Sequence, residues 1–157
     1  GGPALLGKLP MYPSNTAIPD TIPTLRWAHM KGASSYRVTV SDDAGKAIWQ
    51  RSTAQAQLAL TPDADLRPGS RYTWKVEPLN QTGDPVANAT SADFSVVTQD
   101  AAGVLAAIKP APDGPFSAWV LYAAQLQQAG ATDDAQTIWQ ALARERPSDP
   151  NLKKLAK

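Results

Sequence analysis

Between Pro23 and Val97, apolar and polar residues alternate with a period of two, and turn-forming residues interrupt the pattern about every ten residues. In one segment, Tyr36, Val38 and Val40 share a face and polar residues occupy the other. Such alternation is typical of strands that have one face buried and the other in water. The pattern therefore predicts a small antiparallel β-sandwich.

The longest predicted strand runs from Ser70 to Leu79. Tyr72 and Trp74 share one face of it, while Arg71 and Lys75 lie on the other. A period-two set of aromatic residues in a long strand fills the interior of a sandwich. We therefore expect Tyr72 and Trp74 in the core, which leaves Arg71 and Lys75 as candidate partner-binding residues.

Two segments are predicted at sheet edges. Residues Met11–Pro23 contain three prolines, which donate nothing to a strand ladder, so a broken first strand is expected there. The segment "KAIWQ" is predicted as a short edge strand in which Trp49 shares a face with Ala47, while Ile48 points the other way. If Ile48 faces the core, Trp49 is exposed and is a third candidate for binding a partner, as a platform for a sugar or a peptide. The alternative, which we favour, packs Trp49 beneath the helical half.

After Val97 the apolar period changes to about 3.6, which indicates helices. Gly130 marks the end of one helix, and Thr132, followed by Asp133 and Asp134, is expected to cap the next and place negative charge at its start. A helical hairpin is therefore predicted. Its two apolar series are Trp119, Tyr122, Ala123 and Leu126, and then Ala135, Ile138, Trp139 and Leu142.

The change of period divides the chain into a β half and an α half. Residues 1–98 are predicted to form the sandwich, with residues 1–8 as a linker or tag remnant, and residues 99–157 the helical region. A short helix is expected over residues 101–108 and another after Asp149. The predicted fold class is therefore α+β, with the two kinds of structure segregated along the chain.

Several residues of the β half match a known pattern. Trp27 is similar to the second-strand tryptophan of fibronectin type III domains, and Leu66, Pro68 and Tyr72 match the L-x-P-x-x-x-Y corner. This half thus resembles a fibronectin type III or immunoglobulin-like sandwich. The resemblance implies that the Tyr72 hydroxyl bonds to backbone upstream of it. The predicted sandwich core consists of Trp27, Tyr36, Tyr72, Trp74 and Phe94.

The predicted hairpin, residues 116–149, has the length of about 34 residues that is typical of a tetratricopeptide repeat, and it resembles one. Tyr122 and Leu126 depart from the usual residue types but stay apolar. Single repeats of this kind bury their apolar sides on neighbours, so we expect the short helices and the sandwich to cover it and to leave a modest groove. The anchor residues, predicted as structural core, are Trp119, Ala123, Gly130, Ala135, Trp139 and Pro147.

Composition narrows the function classes. The chain has no cysteine, which excludes disulfides and thiolate catalysis. Its net charge of +1 lacks the excess of basic residues that is typical of proteins that bind nucleic acid. No apolar run reaches the roughly 18 residues of a membrane span, so membrane attachment is expected only through a segment upstream of Gly1. The oligomeric state stays open.

Few residues suggest chemistry. His29 is the only histidine, and we expect it at a turn edge; its alternative role is a general base for Ser34 or Ser35. No phosphate-binding loop, dinucleotide fingerprint or nucleophile elbow occurs. We therefore predict no catalytic residue, no metal ligand and no cofactor. Turn or cap roles are expected for the paired acids, which are Asp42 and Asp43, Asp63 and Asp65, and Asp133 and Asp134.

Taken together, these features favour a non-catalytic protein-interaction or scaffold module, not an enzyme. The resemblance to sandwich-plus-hairpin segments of bacterial envelope proteins implies a periplasmic or envelope location and a protein partner. A first alternative is the extracytoplasmic sensor domain of a membrane-anchored signalling protein. A less favoured one is a carbohydrate-binding accessory module centred on Trp49.

Overall fold

The computed structural model describes residues 11–157, in which a strand-rich part precedes four helices. The strands are β1 (Met11–Tyr12), β2 (Thr16–Ile18), β3 (Thr24–Trp27), β4 (Ser35–Asp42), β5 (Ala47–Thr53), β6 (Gln57–Ala59), β7 (Arg71–Leu79) and β8 (Thr90–Val96). The helices are α1 (Gln99–Ile108), α2 (Phe116–Gln128), α3 (Thr132–Glu145) and α4 (Pro150–Leu155). None of these helices is long and apolar enough to cross a bilayer. The described chain has an α+β fold.

The strands form two sheets, with the orders β1-β3-β6 and β2-β8-β7-β4-β5. Between β1 and β2 the chain passes from one sheet to the other, next to Pro13 and to Asn15, which has a positive φ of 53°. The broken first strand predicted from the prolines is therefore confirmed. The expectation of an entirely antiparallel sandwich is wrong for one pair, because β2 runs parallel to β8 after this crossing.

The core of the sandwich is aromatic. Trp74 is fully buried, and the Trp27 ring meets the Tyr36 ring edge-on with centroids 5.4 Å apart. Tyr72 stacks on Phe94 at 5.5 Å. These five side chains, which the alternating pattern assigned to the interior, are all buried. The dense packing follows from the pleat, since alternate side chains of each strand point to the same side.

The corner that precedes β7 has the geometry implied by the resemblance. The backbone N–H of Arg67 donates a hydrogen bond of 2.8 Å to the hydroxyl of Tyr72. The corner ties the loop to the strand that follows it, because the ring is fixed in the core while its hydroxyl reaches back five residues.

The helical half has its own apolar core. Helices α2 and α3 pack as a hairpin, with Ala123, Ala135 and Trp139 buried between them and their neighbours. Two residues predicted for this core are less buried than expected, although Trp119 still packs against it. Pro147 is exposed because it follows the end of α3, and Trp119 is only half buried because a cleft opens beside its ring.

Three elements cover the hairpin, as expected for a lone helix pair. Helix α1 packs against α2, α4 packs against α3, and β2 contacts α3. Ala17 and Val97 of the strand-rich part are buried in the helical core rather than in the sandwich. The two cores are therefore joined at the sheet edge that carries β2.

Candidate functional site

The junction between the sandwich and the hairpin is built from polar side chains. The Tyr12 hydroxyl donates a short hydrogen bond to the carboxylate of Asp134, and the Ser14 backbone N–H donates one of 3.2 Å to Asp133. Tyr12 and Ser14 lie in the segment that crosses between the sheets, whereas both aspartates lie in the first turn of α3. The junction thus holds residues more than one hundred positions apart in the sequence.

The start of α3 is capped by the sandwich rather than by its own sequence. Thr132 was predicted as the cap, but Ala131 holds the N-cap position and has no side-chain acceptor to offer. Instead, the hydroxyl oxygen of Thr16 accepts a hydrogen bond of 3.1 Å from the Asp133 backbone N–H. Since the first N–H groups of a helix lack internal partners, this bond both caps α3 and docks it.

A backbone contact completes the junction. The N–H of Ala17 donates a hydrogen bond of 2.9 Å to the carbonyl oxygen of Gly130. Gly130 ends α2 with a φ of +87°, a conformation that side chains other than glycine rarely adopt. A Cβ atom added there would lie 3.7 Å from the Cβ of Ala17, an ordinary van der Waals distance, so the turn needs glycine for its positive φ and not for lack of space.

Burial controls the electrostatics of the junction. Desolvation raises the pKa of Asp134, and the nearby charges of Asp20 and Asp133 raise it further, while the Tyr12 hydrogen bond and Arg26 lower it. The pKa of Asp133 is also raised by burial, and the Ser14 N–H partly offsets the shift. Desolvation and the Asp134 hydrogen bond raise the pKa of Tyr12, so its hydroxyl keeps its proton and remains a donor.

Beside the junction lies an open cleft, which we call the hairpin cleft. Its two adjoining lobes, of about 260 and 370 Å³, share Trp119, Thr137 and Ile138. Because both modules and the loop before α2 contribute to the walls, the cleft depends on the docked arrangement. The other lining residues are Tyr12, Arg26, Lys109, Tyr122, Leu126 and Asp134 in the smaller lobe, and Pro112, Gly114, Phe116, Ala141, Leu142 and Glu145 in the larger.

Trp49 does not have the exposed position considered for it, nor does it pack under the helices. Its ring is 4% exposed and lies in the sandwich core, where its indole N–H donates a hydrogen bond of 3.0 Å to Thr61. The reason is a register shift in the pairing of β4 with β5, where Val40 pairs with Trp49 but Ser41 pairs with Ala47. Trp49 shares the core face of Val40, which lies opposite it, and the bulge places Ala47 on the other face, so the two residues do not share a face as the alternation predicted. Trp49 is therefore not an available contact residue.

Arg71 and Lys75 lie exposed on the outer face of β7, as the alternation predicts. Arg71 lines a shallow pocket next to Gly130, whereas Lys75 pairs across the sheet with Thr39. Neither lines the hairpin cleft. Their role in binding a partner stays a prediction.

The remaining candidates for chemistry have structural partners. The ring of His29 lies 3.0 Å from the Tyr36 hydroxyl through its Nδ1 atom. Asp63 pairs with Arg51 and Asp65 with Arg67. Within residues 11–157, no group of three or more metal-ligating side chains is close enough to hold an ion.

Residues 12–100 match the family model described as "Rha78A-like, N-terminal immunoglobulin domain", which agrees with the immunoglobulin-like sandwich expected from the sequence. Among solved structures, an Fn3-like protein from Clostridium thermocellum is 21% identical, with a TM-score of 0.37 over 46% of this chain and 74% of that chain. CopC from Methylosinus trichosporium OB3b is also 21% identical, with a TM-score of 0.38 over 55% of this chain and 84% of that one. No curated protein matches the chain.

Proposed function

We propose that this chain, which belongs to the family of Rha78A-like N-terminal immunoglobulin domains, is a non-catalytic module that binds a protein partner and holds it in a fixed geometry. The observation that carries the proposal is the junction. Tyr12, Thr16 and Ala17 of the sandwich each bond to the hairpin, so the two parts present one composite surface.

The hairpin supports an interaction role. Its anchor spacing resembles a tetratricopeptide repeat, and we propose that it works as one such unit whose usual neighbours are replaced by the sandwich and by helices α1 and α4. This arrangement leaves the hairpin cleft open on the described part of the chain, with Trp119 only partly buried. Concave apolar surfaces of this size are where proteins take ligands and peptide segments.

A non-catalytic role is favoured by the way candidate groups are used. The His29 imidazole contacts the hydroxyl of a core tyrosine, and Asp133 and Asp134 hold the junction. Catalytic groups need freedom to meet a substrate, whereas these side chains are committed to structural bonds. The hypothesis of a carbohydrate module is not carried forward, because the indole of Trp49 is buried.

For location, we propose the bacterial envelope, outside the cytoplasm, on the resemblance to sandwich-plus-hairpin segments of envelope proteins. In the alternative, a sensor domain, the same cleft binds the signal, and binding there alters a regulatory domain attached to this one.

Protease treatment of intact cells and of spheroplasts tests the proposed location with the full-length protein. Digestion only after lysis of the inner membrane would place it in the cytoplasm and contradict this part of the proposal.

Site-specific photo-crosslinking in the native cells tests partner binding. A photoreactive residue is placed at Thr137 in the cleft, at Lys75 on the outer sheet face and at Gln81 in an exposed loop as the control. We expect a discrete adduct of a second protein from Thr137 or Lys75 and none from Gln81. If no position yields an adduct, the interaction role is wrong.

A further inference from the structure

From the lining of the hairpin cleft, we infer that it binds a short peptide segment that combines an apolar anchor with acidic side chains. The inference rests on the proposed interaction role and names the chemistry of the partner. Three observations carry it: the apolar floor, the excess of cations over carboxylates around it and the continuity of the cleft with the junction.

The floor of the larger lobe accepts an apolar side chain. Phe116, Trp119 and Ile138 are half buried, and Ala141 is exposed beside them. The ring of Trp119 packs edge-on against Tyr122 at 5.9 Å, which fixes one side of the indole and leaves the other toward the cleft. A volume of about 370 Å³ is enough to take an aliphatic or aromatic anchor and its neighbouring backbone.

The charged side chains near the floor determine whether the cleft favours an acidic or a basic peptide. Arg26 and Lys109 line the smaller lobe, and the Arg146 guanidinium lies 3.6 Å from the centroid of the Phe116 ring at the other end. The ion pairs of residues 11–157 involve none of these three cations. The lining also holds two carboxylates, Asp134 and Glu145, and Asp134 keeps its negative charge while it accepts from Tyr12. The Arg26 guanidinium lies 4.4 Å from the centroid of the Tyr12 ring, close enough to Asp134 to lower its pKa. Three cations against two carboxylates leave the cleft a small excess of positive charge, and Lys109 is the exposed cation that none of the ion pairs of residues 11–157 uses, so the cleft favours an acidic occupant.

The occupant bridges both parts of the molecule. Tyr12 and Arg26 come from the sandwich, whereas Thr137 and Ile138 come from α3, and the Tyr12–Asp134 bond joins the two walls. A peptide seated in the cleft therefore extends an interface that already exists. Binding is expected only while the junction is formed.

Selection of random 12-residue peptides displayed on phage, with the intact protein as bait, tests the inference. We expect enrichment of sequences that carry an aromatic or large aliphatic residue within a few positions of Asp or Glu. Lys109→Glu should move the selected sequences from acidic to basic residues. Thr137→Trp, which fills the shared part of both lobes without adding charge, should weaken a selected acidic peptide about tenfold or more, in line with the loss of one anchor.

Ala124→Trp, an exposed change on α2 outside the cleft lining, is the matched control and should leave peptide binding unchanged. Circular dichroism of each variant checks the fold. The inference is overturned if the selected peptides bind Lys109→Glu and Thr137→Trp as tightly as they bind the wild type. The inference is also overturned if the protein forms a concentration-dependent dimer that Thr137→Trp abolishes, because a second copy of the chain is then the occupant of the cleft. Peptide binding that appears only after removal of residues 1–10 also overturns it, because that segment is then the occupant.

The two proposals fail separately. If photo-crosslinking from Lys75 finds a partner but Thr137→Trp and Lys109→Glu leave its capture unchanged, the interaction role stands and the acidic-peptide inference falls. If acidic peptides bind the cleft in the charge-dependent way but no position crosslinks to a protein in cells, the chemistry of the cleft stands and the interaction role falls.

Discussion

The hydroxyl of Tyr12 donates a hydrogen bond to the carboxylate of Asp134, and the two residues are 122 positions apart in the sequence. One lies on the first strand of the sandwich and the other in the first turn of α3. This bond, the Thr16 cap and the Ala17–Gly130 backbone bond hold the hairpin against the edge of the sheet. Without the Tyr12 hydroxyl, the partly buried carboxylate of Asp134 would lack its hydrogen-bond donor.

The first prediction concerns this bond. Tyr12→Phe keeps the ring but removes the donor, and we expect the free energy of unfolding to fall by about 2 kcal/mol, because a charged acceptor loses its hydrogen bond. Urea unfolding followed by far-UV circular dichroism measures the change. In a double-mutant cycle with Asp134→Ala, the two losses should be less than additive. Simple additivity of the two effects would show that the bond contributes nothing to docking.

The second prediction concerns pH. Because burial raises the pKa of Asp134 and Asp133, the folded state binds protons more tightly than the unfolded state as pH falls toward the ordinary aspartate range. These groups therefore favour folding at acid pH and disfavour it as pH rises through the raised values. Asp134→Asn removes one of these protonation sites and keeps an oxygen that accepts from Tyr12.

We therefore expect wild type to gain stability relative to Asp134→Asn when the pH is lowered from about 7 to about 4. Unfolding curves at intermediate pH values measure the difference. Asp43→Asn, an exposed turn aspartate, is the control and should show no such trend. A gap between wild type and Asp134→Asn that is independent of pH would contradict the burial argument.

The third prediction compares two hydroxyls. Tyr72→Phe removes the acceptor of the Arg67 N–H and should cost about 1 kcal/mol of unfolding free energy. Tyr122→Phe removes a hydroxyl that makes no hydrogen bond within residues 11–157, so its cost should be smaller. Chemical denaturation of both variants tests the corner. Equal losses would mean that the Arg67 bond is not what stabilises it.

The fourth prediction compares two glycines. Gly130→Ala forces a Cβ atom into a positive φ and should destabilise the protein by about 1 kcal/mol. Gly103→Ala lies inside α1, where an added Cβ meets nothing within 4 Å, and should stabilise the protein by about 1 kcal/mol. Thermal unfolding should shift the two melting temperatures in opposite directions. A shift in the same direction would refute the assigned role of Gly130.

The fifth prediction uses tryptophan fluorescence to test the cleft and the corrected position of Trp49. Four of the five tryptophans are buried, and Trp119 is the exception. Acrylamide should therefore quench Trp119 most strongly, and Trp119→Phe should remove most of the quenchable signal. Trp49→Phe should lower total emission while the quenchable part stays. If Trp49→Phe instead removed most of the quenchable signal and Trp119→Phe did not, Trp49 would be a surface residue and Trp119 would not line an open cleft.

The sequence predicted the sandwich and the hairpin because the spacing of apolar residues indicates which face of a strand or helix is buried. Tyr72 and Trp74 had to face inward once their strand was recognised, and Gly130 had to end a helix. Trp49 was misplaced because a β-bulge shifts the face of a strand without any local signal in "KAIWQ". Pro147 is exposed and Trp119 packs against the core without being fully buried, since a repeat pattern shows which residues can be buried but not which neighbours are present to bury them.

The identity of the elements, their order and the aromatic interior of the sandwich followed from the sequence alone, because local sterics and apolar periodicity act over a few residues. The docking of the two parts did not. Asp133 and Asp134 were recognised only as charge at a helix start, and Tyr12 and Thr16 had no visible role. Only the tertiary structure decided that these residues meet, since a hydrogen bond between groups more than one hundred positions apart depends on the path of the whole chain between them.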